Sequence, residues 1–373
     1  ANNEQGQSET VGTLFSISLI ASLIVTVLGL LVYRPLFRLL NVPAVSMQDA
    51  CEYMEIICYG TVFVFGYNAV CSIMKGFGDS KSPLYFIAIA TVVNIVLDIT
   101  LVGVLGMGTK GAAYATIFSQ GASLLISIIH LKRNNFVFDF KARHFAIKRE
   151  KLVVILKVGL PTAIQMVVVN ISYLLITGML NYFGVSVAAA SGVGLKVNTF
   201  AGMPCWAIGQ AVTAMVGQNI GANNVKRVKN TTKTGLRLNI MITLIVIIFV
   251  QIFARQIIML FNPANPEVIE DGIRYLRICC GMNSLVYAVM YTFDSFAIGI
   301  GSANVAMTNA LLDAVIVRLP VSWLLAFTVN MGFPGIYIGQ AVSPLLPAIV
   351  GLLYFKSKVW ESKRLINRTG SEG

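Results

Sequence analysis

The sequence predicts an all-α polytopic membrane protein, and three observations lead to this fold class. Of the 373 residues, 56% are hydrophobic and only 12% are charged, and the mean hydropathy is +0.77. So little polar surface cannot cover a water-soluble globule. Apolar segments of membrane-spanning length recur along the whole chain. The basic residues, which give a net charge of +12, cluster between these segments as in cytoplasmic loops, so nucleic acid is not an expected partner.

Ten apolar segments are long enough to cross a hydrocarbon core, which takes about 20 helical residues. The predicted spans are 11–33, 49–74, 83–105, 111–131, 152–181, 187–216, 234–261, 269–298, 304–329 and 334–355. Loops alternate between the two sides, so placing the basic segment 132–151 in the cytoplasm fixes every other loop. Nineteen of the 28 Lys and Arg residues then lie inside and six lie outside, an asymmetry that supports the helix count and a cytoplasmic C-terminus. We expect the protein to lie in the inner membrane of a bacterial cell.

The basic segment divides the chain. We predict a first lobe of four helices at 1–131, a basic cytoplasmic connector at 132–151, a second lobe of six helices at 152–356, and a cytoplasmic tail at 357–373. The six cysteines all lie inside apolar segments, without a CxxC pair. This placement is typical of buried reduced thiols rather than of a disulfide or metal site.

The two lobes contain an internal repeat. The offset between matching positions drifts only from 221 to 224, so one duplication covers about four helices of each lobe. Because each copy holds an even number of helices, the copies are expected to run parallel. Matching positions include Ala1-Asn2-Asn3 with Ala222-Asn223-Asn224, Gly76 and Gly78 with Gly299 and Gly301, and Gly108 and Gly111 with Gly332 and Gly335.

The lobes are unequal in length. Two helices, 152–181 and 187–216, precede the repeat in the second lobe, whereas nothing precedes Ala1 in the first. We therefore expect a parent protein of twelve helices, of which this chain holds ten. The alternative is a genuine ten-helix protein.

Five motifs carry a family resemblance. They are GLPTAIQ at 159–165, VGQNIGANN at 216–224, KGFGDSKSP at 75–83, NIVLD at 94–98 and GTKGAAYAT at 108–116. Together they resemble the multidrug and toxin extrusion (MATE) family over nearly the whole chain. The resemblance implies two six-helix lobes facing each other across a central cleft that opens alternately to either side. A cationic drug would be exchanged there for Na⁺ or H⁺, with no other cofactor.

The clearest candidate site lies in the first lobe. Asn94 and Asp98 are four residues apart and share a face of the third span. At a rise of about 1.5 Å per residue, Asp98 and Thr116 both fall in the outer half of the bilayer. A carboxylate there costs about 2.5–3.5 kcal/mol, so it should face a partner or a wet cavity. Oxygen ligands suit a hard cation, and a desolvated Asp suits a proton.

The resemblance assigns Asn94, Asp98 and Thr116 to the cation site of the first lobe, with Asp98 as the Na⁺ ligand if the protein is sodium-coupled. The family's other essential carboxylate lies on a first helix that this chain does not contain. The alternative is a hydrogen-bonded structural Asp98 near a helix end.

The second lobe has different chemistry at the matching positions. At offset 224, Asn94 becomes Arg318 and Asp98 becomes Ser322. Lys196, Asp294 and Asp313 also fall within spans, so these three and Arg318 are candidates for a polar site, and Lys196 and Asp313 lie at a similar mid-depth that would allow them to pair. A purely structural salt bridge remains an equal alternative. The second lobe also carries aromatic and thioether side chains suited to flat lipophilic cations. The candidate substrate-lining residues of this lobe are Gln165, Tyr173, Met203, Tyr287, Met290 and Tyr291.

These features predict a monomeric secondary antiporter that exports amphiphilic cationic small molecules, driven by an ion gradient. One alternative is a lipid-linked sugar flippase of the same superfamily, whose cavity should be net basic. A membrane-embedded enzyme is the other, but the sequence has no HExxH or GxSxG motif. Its two histidines, His130 and His144, flank the connector at the predicted cytoplasmic surface.

Overall fold

The computed structural model describes residues 4–39, 43–133, 138, 142–263 and 265–362. Within these ranges the secondary structure is helical, and no described residue lies in a β-strand. The chain forms two compact units, Ala1–Ile155 and Leu156–Gly373. Each unit is a bundle of long helices, so the predicted all-α membrane fold is confirmed.

The first unit contains four long helices. They are α1 (Glu4–Leu39), α2 (Ala44–Gly76), α3 (Lys81–Val104) and α4 (Gly108–Arg133). Helix α2 packs between α1 and α4, and α3 packs mainly on α4. The core of this unit is a cluster of buried side chains: Tyr67, Val70, Cys71, Met74, Phe86 and Leu131.

The second unit contains six long helices. They are α5 (Arg149–Asn181), α6 (Val185–Gly221), α7 (Val225–Phe261), α8 (residues 266–299), α9 (Ala303–Thr328) and α10 (Phe333–Lys356). Helices α6 and α8 lie at its centre and both pack on α7. Its largest core cluster includes the fully buried Ile258, Leu276, Ile336 and Tyr337.

The ten predicted spans each fall within one of these ten helices to within one residue at either end. Eight of the helices are long and apolar enough to cross a membrane. The other two, α6 and α8, carry more small and polar residues, and α8 begins with PEVIEDGIRY. Several helices extend beyond their predicted spans, and α7 begins nine residues earlier, at Val225 rather than 234. Hydropathy detects only the apolar part of a helix, whereas backbone hydrogen bonding continues into its polar end.

The internal repeat appears in the backbone turns. The turn that ends α2 is closed by N–H groups of Phe77, Gly78 and Asp79, and the turn that ends α8 is closed by those of Ile300, Gly301 and Ser302, with the same acceptor spacing. Gly78 and Gly301 both adopt a positive φ, 92° and 79°, which a side chain would strain. The part of the repeat at Ala1-Asn2-Asn3 lies outside the described residues.

A second pair of equivalent turns follows α3 and α9. Each of these helices ends in a π-helical stretch, Ile99–Val104 in α3 and Leu324–Thr328 in α9. The next helix then approaches closely through a glycine. A Cβ at Gly111 would lie 3.1 Å from the carbonyl carbon of Leu101, and one at Gly335 would lie 2.7 Å from that of Leu325. The two copies therefore share backbone detail as well as sequence.

Helix α3 begins at a capping carboxylate. Oδ1 of Asp79 accepts the backbone N–H groups of Lys81 (3.1 Å) and Ser82 (3.0 Å), and Oδ2 accepts the Ser82 hydroxyl (2.6 Å). Partial burial opposes ionisation, but these hydrogen bonds and nearby His130 outweigh it and hold the pKa of Asp79 below its ordinary value of 3.8.

The predicted connector and tail are described only in part. Residues 134–137, 139–141 and 363–373 lie outside the described ranges. The described start of the tail is folded, because Val359–Ser362 forms a 3₁₀ helix in which Trp360 is fully buried. Trp360 packs on Phe296 and Phe355, and its indole N–H donates to the Phe355 carbonyl at 3.0 Å.

Candidate functional site

Helix α3 holds Asn94 and Asp98 on the face that packs on α4. Phe86 and Ala90, two turns and one turn before Asn94, are buried on the same face. Asp98 is the last α-helical residue before the π-helical stretch. Its Oδ1 atom is buried and accepts no hydrogen bond from any described residue. A buried carboxylate oxygen without a hydrogen-bond donor destabilises the fold unless a proton or a cation binds to it.

Helix α4 contributes two further oxygen atoms. The Thr116 hydroxyl donates to the Ala112 carbonyl at 2.9 Å, which leaves the lone pairs of its oxygen directed away from that bond. Gln120 follows Thr116 by four residues and so lies on the same face. The Oε1 atom of Gln120 is also buried without a donor among the described residues.

The register of the two helices brings these groups to similar depth. Gly111 meets Leu101 at one end of the pair, and the Ser123 hydroxyl donates to the Phe86 carbonyl at 3.2 Å near the other, so α3 and α4 are antiparallel. Thr116 then lies level with the turn between Asn94 and Asp98, and Gln120 lies about one turn beyond it. Side chains lean toward the N-terminus of their own helix, so Asp98 and Gln120 lean toward each other.

The three predicted residues of the first unit thus lie on facing helices, and Gln120 is an addition that the sequence analysis missed. The signal was its spacing of four residues from Thr116. In the sequence, ionisable residues within the spans are selected as candidates, because these carry a large cost of membrane insertion. Gln120 is uncharged and is therefore not selected.

The second unit buries an ion pair. Arg318 and Asp313 are only 2% and 1% exposed, and Nη2 of Arg318 contacts Oδ2 of Asp313. The Arg318 Nε–H donates to the Ser343 hydroxyl at 3.4 Å, and its guanidinium lies 4.5 Å from the centre of the Tyr173 ring. Asp313 and Arg318 are five residues apart within the π-helical stretch Leu312–Arg318, whose five-residue repeat aligns them.

Lys196 and Asp313, whose similar depth would allow a pair, do not pair in the structure. Lys196 is exposed, and Asp313 has Arg318 as its partner. Depth counted along two helices can match without the two side chains facing each other. Lys196 therefore does not belong to the buried polar cluster of the second unit.

Asp294 is buried without a cation beside it. Its Oδ1 accepts the Asn309 side-chain amide at 2.6 Å, and its Oδ2 accepts the Gln165 amide at 3.4 Å. None of the ion pairs among the described residues includes Asp294. Two neutral amides do not cancel a buried negative charge, so this group is suited to meet a proton or a cationic ligand.

Aromatic side chains lie one and two turns before Asp294. Tyr287 and Tyr291 stack with their centroids 5.8 Å apart and an interplanar angle of 14°, and the Trp206 indole N–H donates to the Tyr287 hydroxyl at 3.2 Å. Both tyrosines remain partly accessible, and Met203 is exposed. Met290 is buried inside the second unit, and its substrate-lining role stays a prediction.

Comparison with known proteins shows which family the sequence resembles. The sequence model of the family described as MatE matches residues 1–100 and 161–324. A protein of Bacillus subtilis (strain 168) called "Probable multidrug resistance protein YoeA" is 28% identical over 376 residues, which cover 98% of this chain and 80% of that protein. Another from the same organism, "Probable multidrug resistance protein YpnP", is 31% identical over 341 residues, which cover 90% of this chain and 74% of that protein.

Solved structures share the fold. One titled "Outward-facing conformation of a multidrug resistance MATE family transporter of the MOP superfamily" superposes with a TM-score of 0.88 at 24% identity. The match covers 94% of this chain and 78% of that chain.

Proposed function

The chain belongs to the MatE family, and on this premise we propose that it is a secondary antiporter that exports amphiphilic organic cations in exchange for Na⁺ or H⁺. Family membership makes it a multi-pass membrane transporter and not an enzyme. The exchange partner, the alternating access of its two lobes and the role of each residue are our proposals.

The two buried acceptor oxygens of the first unit carry the proposal. Asp98 Oδ1 and Gln120 Oε1 lack donors among the described residues, and Asn94 and Thr116 add two more oxygen atoms between them. A carboxylate, two amide oxygens and a hydroxyl form a donor set typical of a hard cation such as Na⁺, and protonation of Asp98 would satisfy the same site with H⁺. Either ion removes the cost of the buried charge, so occupancy changes the energy of the packed α3–α4 pair.

The second unit offers a surface suited to the exported molecule. The stacked faces of Tyr287 and Tyr291 attract flat cations, and Asp294 next to them supplies a negative charge. The flippase alternative requires a net basic cavity. It is not favoured, because Asp313 neutralises Arg318 and Lys196 lies outside the cluster.

We further propose an inner-membrane location with the connector and the C-terminus in the cytoplasm, and a monomeric transporter. The excess of Lys and Arg in the connector, in the first turns of α7 and in the tail supports this orientation.

The test is ethidium efflux from efflux-deficient cells that express the protein, compared with its Asp98→Asn variant. Asn keeps the shape of the side chain but removes its charge, so the variant should reach the membrane and retain dye. Asp49→Asn, at an exposed position of α2, is the matched control and should export normally. Efflux by Asp98→Asn equal to that of the unaltered protein would refute the role of Asp98, and replacing Na⁺ in the medium or collapsing the pH gradient identifies the coupling ion.

A further inference from the structure

The repeat assigns a counterpart in the second unit to three residues of the first-unit site. The equivalent turns after α3 and α9, and the close approaches of Gly111 and Gly335, set the offset at 224. At this offset the counterparts of Asn94, Asp98 and Thr116 are Arg318, Ser322 and Gln340. All three counterparts are buried in the second unit.

The polarity of the two places is opposite. In the first unit the buried atoms that lack partners among the described residues are acceptors, on Asp98 and Gln120. At the matching place in the second unit they are two donors, Nη1 of Arg318 and Nε2 of Gln340, and one acceptor, Oδ1 of the Asp313 carboxylate that pairs with Arg318. The position proposed to attract a mobile cation in the first unit therefore already holds a cation in the second unit. That cation is the guanidinium group of Arg318, which is part of the chain.

Arg318 also makes the contacts expected of a bound cation, with a carboxylate, a hydroxyl oxygen and an aromatic ring face. Its guanidinium is held by the Asp313 carboxylate of its own helix α9, by the Ser343 hydroxyl of α10 and by the ring face of Tyr173 on α5. The Ser343 hydroxyl in turn donates to the Gln340 carbonyl at 3.1 Å. Three helices thus converge on one buried positive charge. Removing it would leave the Asp313 carboxylate uncompensated in a medium of low dielectric.

We propose that Arg318 is a tethered cation that permanently fills, in the second unit, the place that the exchangeable cation takes in the first. It neutralises Asp313 and joins α5, α9 and α10 in the arrangement that the mobile ion produces in the first unit only while bound. This position of the second unit therefore exchanges no ion. The comparison with the first unit rests on the proposed function, whereas the requirement of Asp313 for a cation rests on the contacts of the second unit alone.

The test is chemical rescue of purified protein in detergent, followed through its thermal unfolding midpoint. Five of the six cysteines are buried, so a thiol-reactive fluorescent dye reports unfolding. Arg318→Ala should lower the midpoint, and millimolar guanidinium chloride should restore roughly half of the loss or more in a saturable way. Sodium chloride at equal concentration should restore less, because it lacks the planar donors of guanidinium. The unaltered protein should gain nothing from guanidinium.

Arg255→Ala is the matched control, since Arg255 is exposed on α7. It should neither lose stability nor respond to guanidinium. An Arg318→Ala midpoint equal to that of the unaltered protein, or a loss that guanidinium does not restore, would overturn the proposal.

If Arg318→Ala does not accumulate, the double change Arg318→Asn with Ser322→Asp rebuilds the Asn94–Asp98 pattern in α9. Its midpoint should rise with added Na⁺ or with acid, in a background where Asp98→Asn has removed the response of the first unit. Insensitivity to both ions would count against the tethered cation. If the unaltered protein and its Asp98→Asn variant respond to Na⁺ and to acid in the same way, the proposed function is refuted. The guanidinium rescue of Arg318→Ala would still stand.

Discussion

Trp360 gives the sharpest test of how the second unit is held together. The residue lies four positions beyond the end of α10, yet it is 0% exposed and packs with Val212, Val216 and Val228 of α6 and α7. It also meets Phe296 of α8 at a centroid distance of 5.0 Å. The short segment Val359–Ser362 therefore ties α10 to three other helices.

Replacing Trp360 by Ala removes these contacts and the indole hydrogen bond. Truncation of a fully buried Trp costs about 3–5 kcal/mol. At about 2–4 °C per kcal/mol for a unit of this size, the thermal midpoint should fall by roughly 6–20 °C. The thiol-reactive dye measures this directly, because Cys205, Cys279 and Cys280 are buried in the same unit.

Trp323→Ala is the matched control, since Trp323 is 57% exposed on α9. Its midpoint should stay near that of the unaltered protein in detergent, because an exposed side chain loses little packing. Equal midpoints for the two Trp variants would refute the argument that the start of the tail is part of the folded core.

Three further predictions follow from the first unit and from the repeat. Gln120→Leu removes a buried acceptor at nearly constant volume and should raise the concentration of Na⁺, or of H⁺, needed for half-maximal efflux by about tenfold, which corresponds to about 1.4 kcal/mol; an unchanged ion dependence would remove Gln120 from the site. The pKa of Asp79 is lower in the folded protein than its ordinary value of 3.8. The ionised Asp79 therefore stabilises the fold fully above pH 3.8, and this stabilisation is lost as the pH falls through the pKa of the folded protein. The midpoint difference between the unaltered protein and Asp79→Asn should therefore shrink on acidification below about pH 4, and a constant difference would contradict it. Gly335→Ala places a Cβ 2.7 Å from the Leu325 carbonyl carbon and should cost about 1–3 kcal/mol in thermal denaturation, whereas Gly159→Ala, with nothing within 4 Å, should cost nothing.

Sequence alone located the helices well, because apolar segments of spanning length need only composition to be recognised. It also placed Asn94 and Asp98 on one face of α3, since a spacing of four residues fixes a helix face. It allowed a pair of Lys196 with Asp313 that the structure does not contain, because equal depth does not determine which way a side chain turns. The π-helical stretch that aligns Asp313 with Arg318 has no sequence signature that hydropathy could detect.

Trp360 shows a different limit. Lys356 at the end of α10 and Lys358 just beyond it make the following segment resemble a polar tail in the sequence. Trp360 nevertheless anchors the segment, because its side chain fills a gap among α6, α7 and α8. The charged side chains stay at the surface, and there Lys229 of α7 pairs with Glu361 at 2.7 Å. Such a fit depends on helices far away in sequence, so no local pattern predicts it.

The two copies of the repeat place opposite chemistry on the same backbone. The turns after α2 and α8 and those after α3 and α9 match in their hydrogen bonds and in their left-handed residues, so the copies differ mainly in side chains. Under the proposed function, the same backbone would bind a mobile ion in one copy and a tethered one in the other, which would separate two requirements of ion coupling. One unit would change energy when the ion binds, and the equivalent place in the other would keep a constant charge. If Arg318 does hold that constant charge, the ion response of the protein should disappear with Asp98→Asn alone, although the backbone of the site is duplicated.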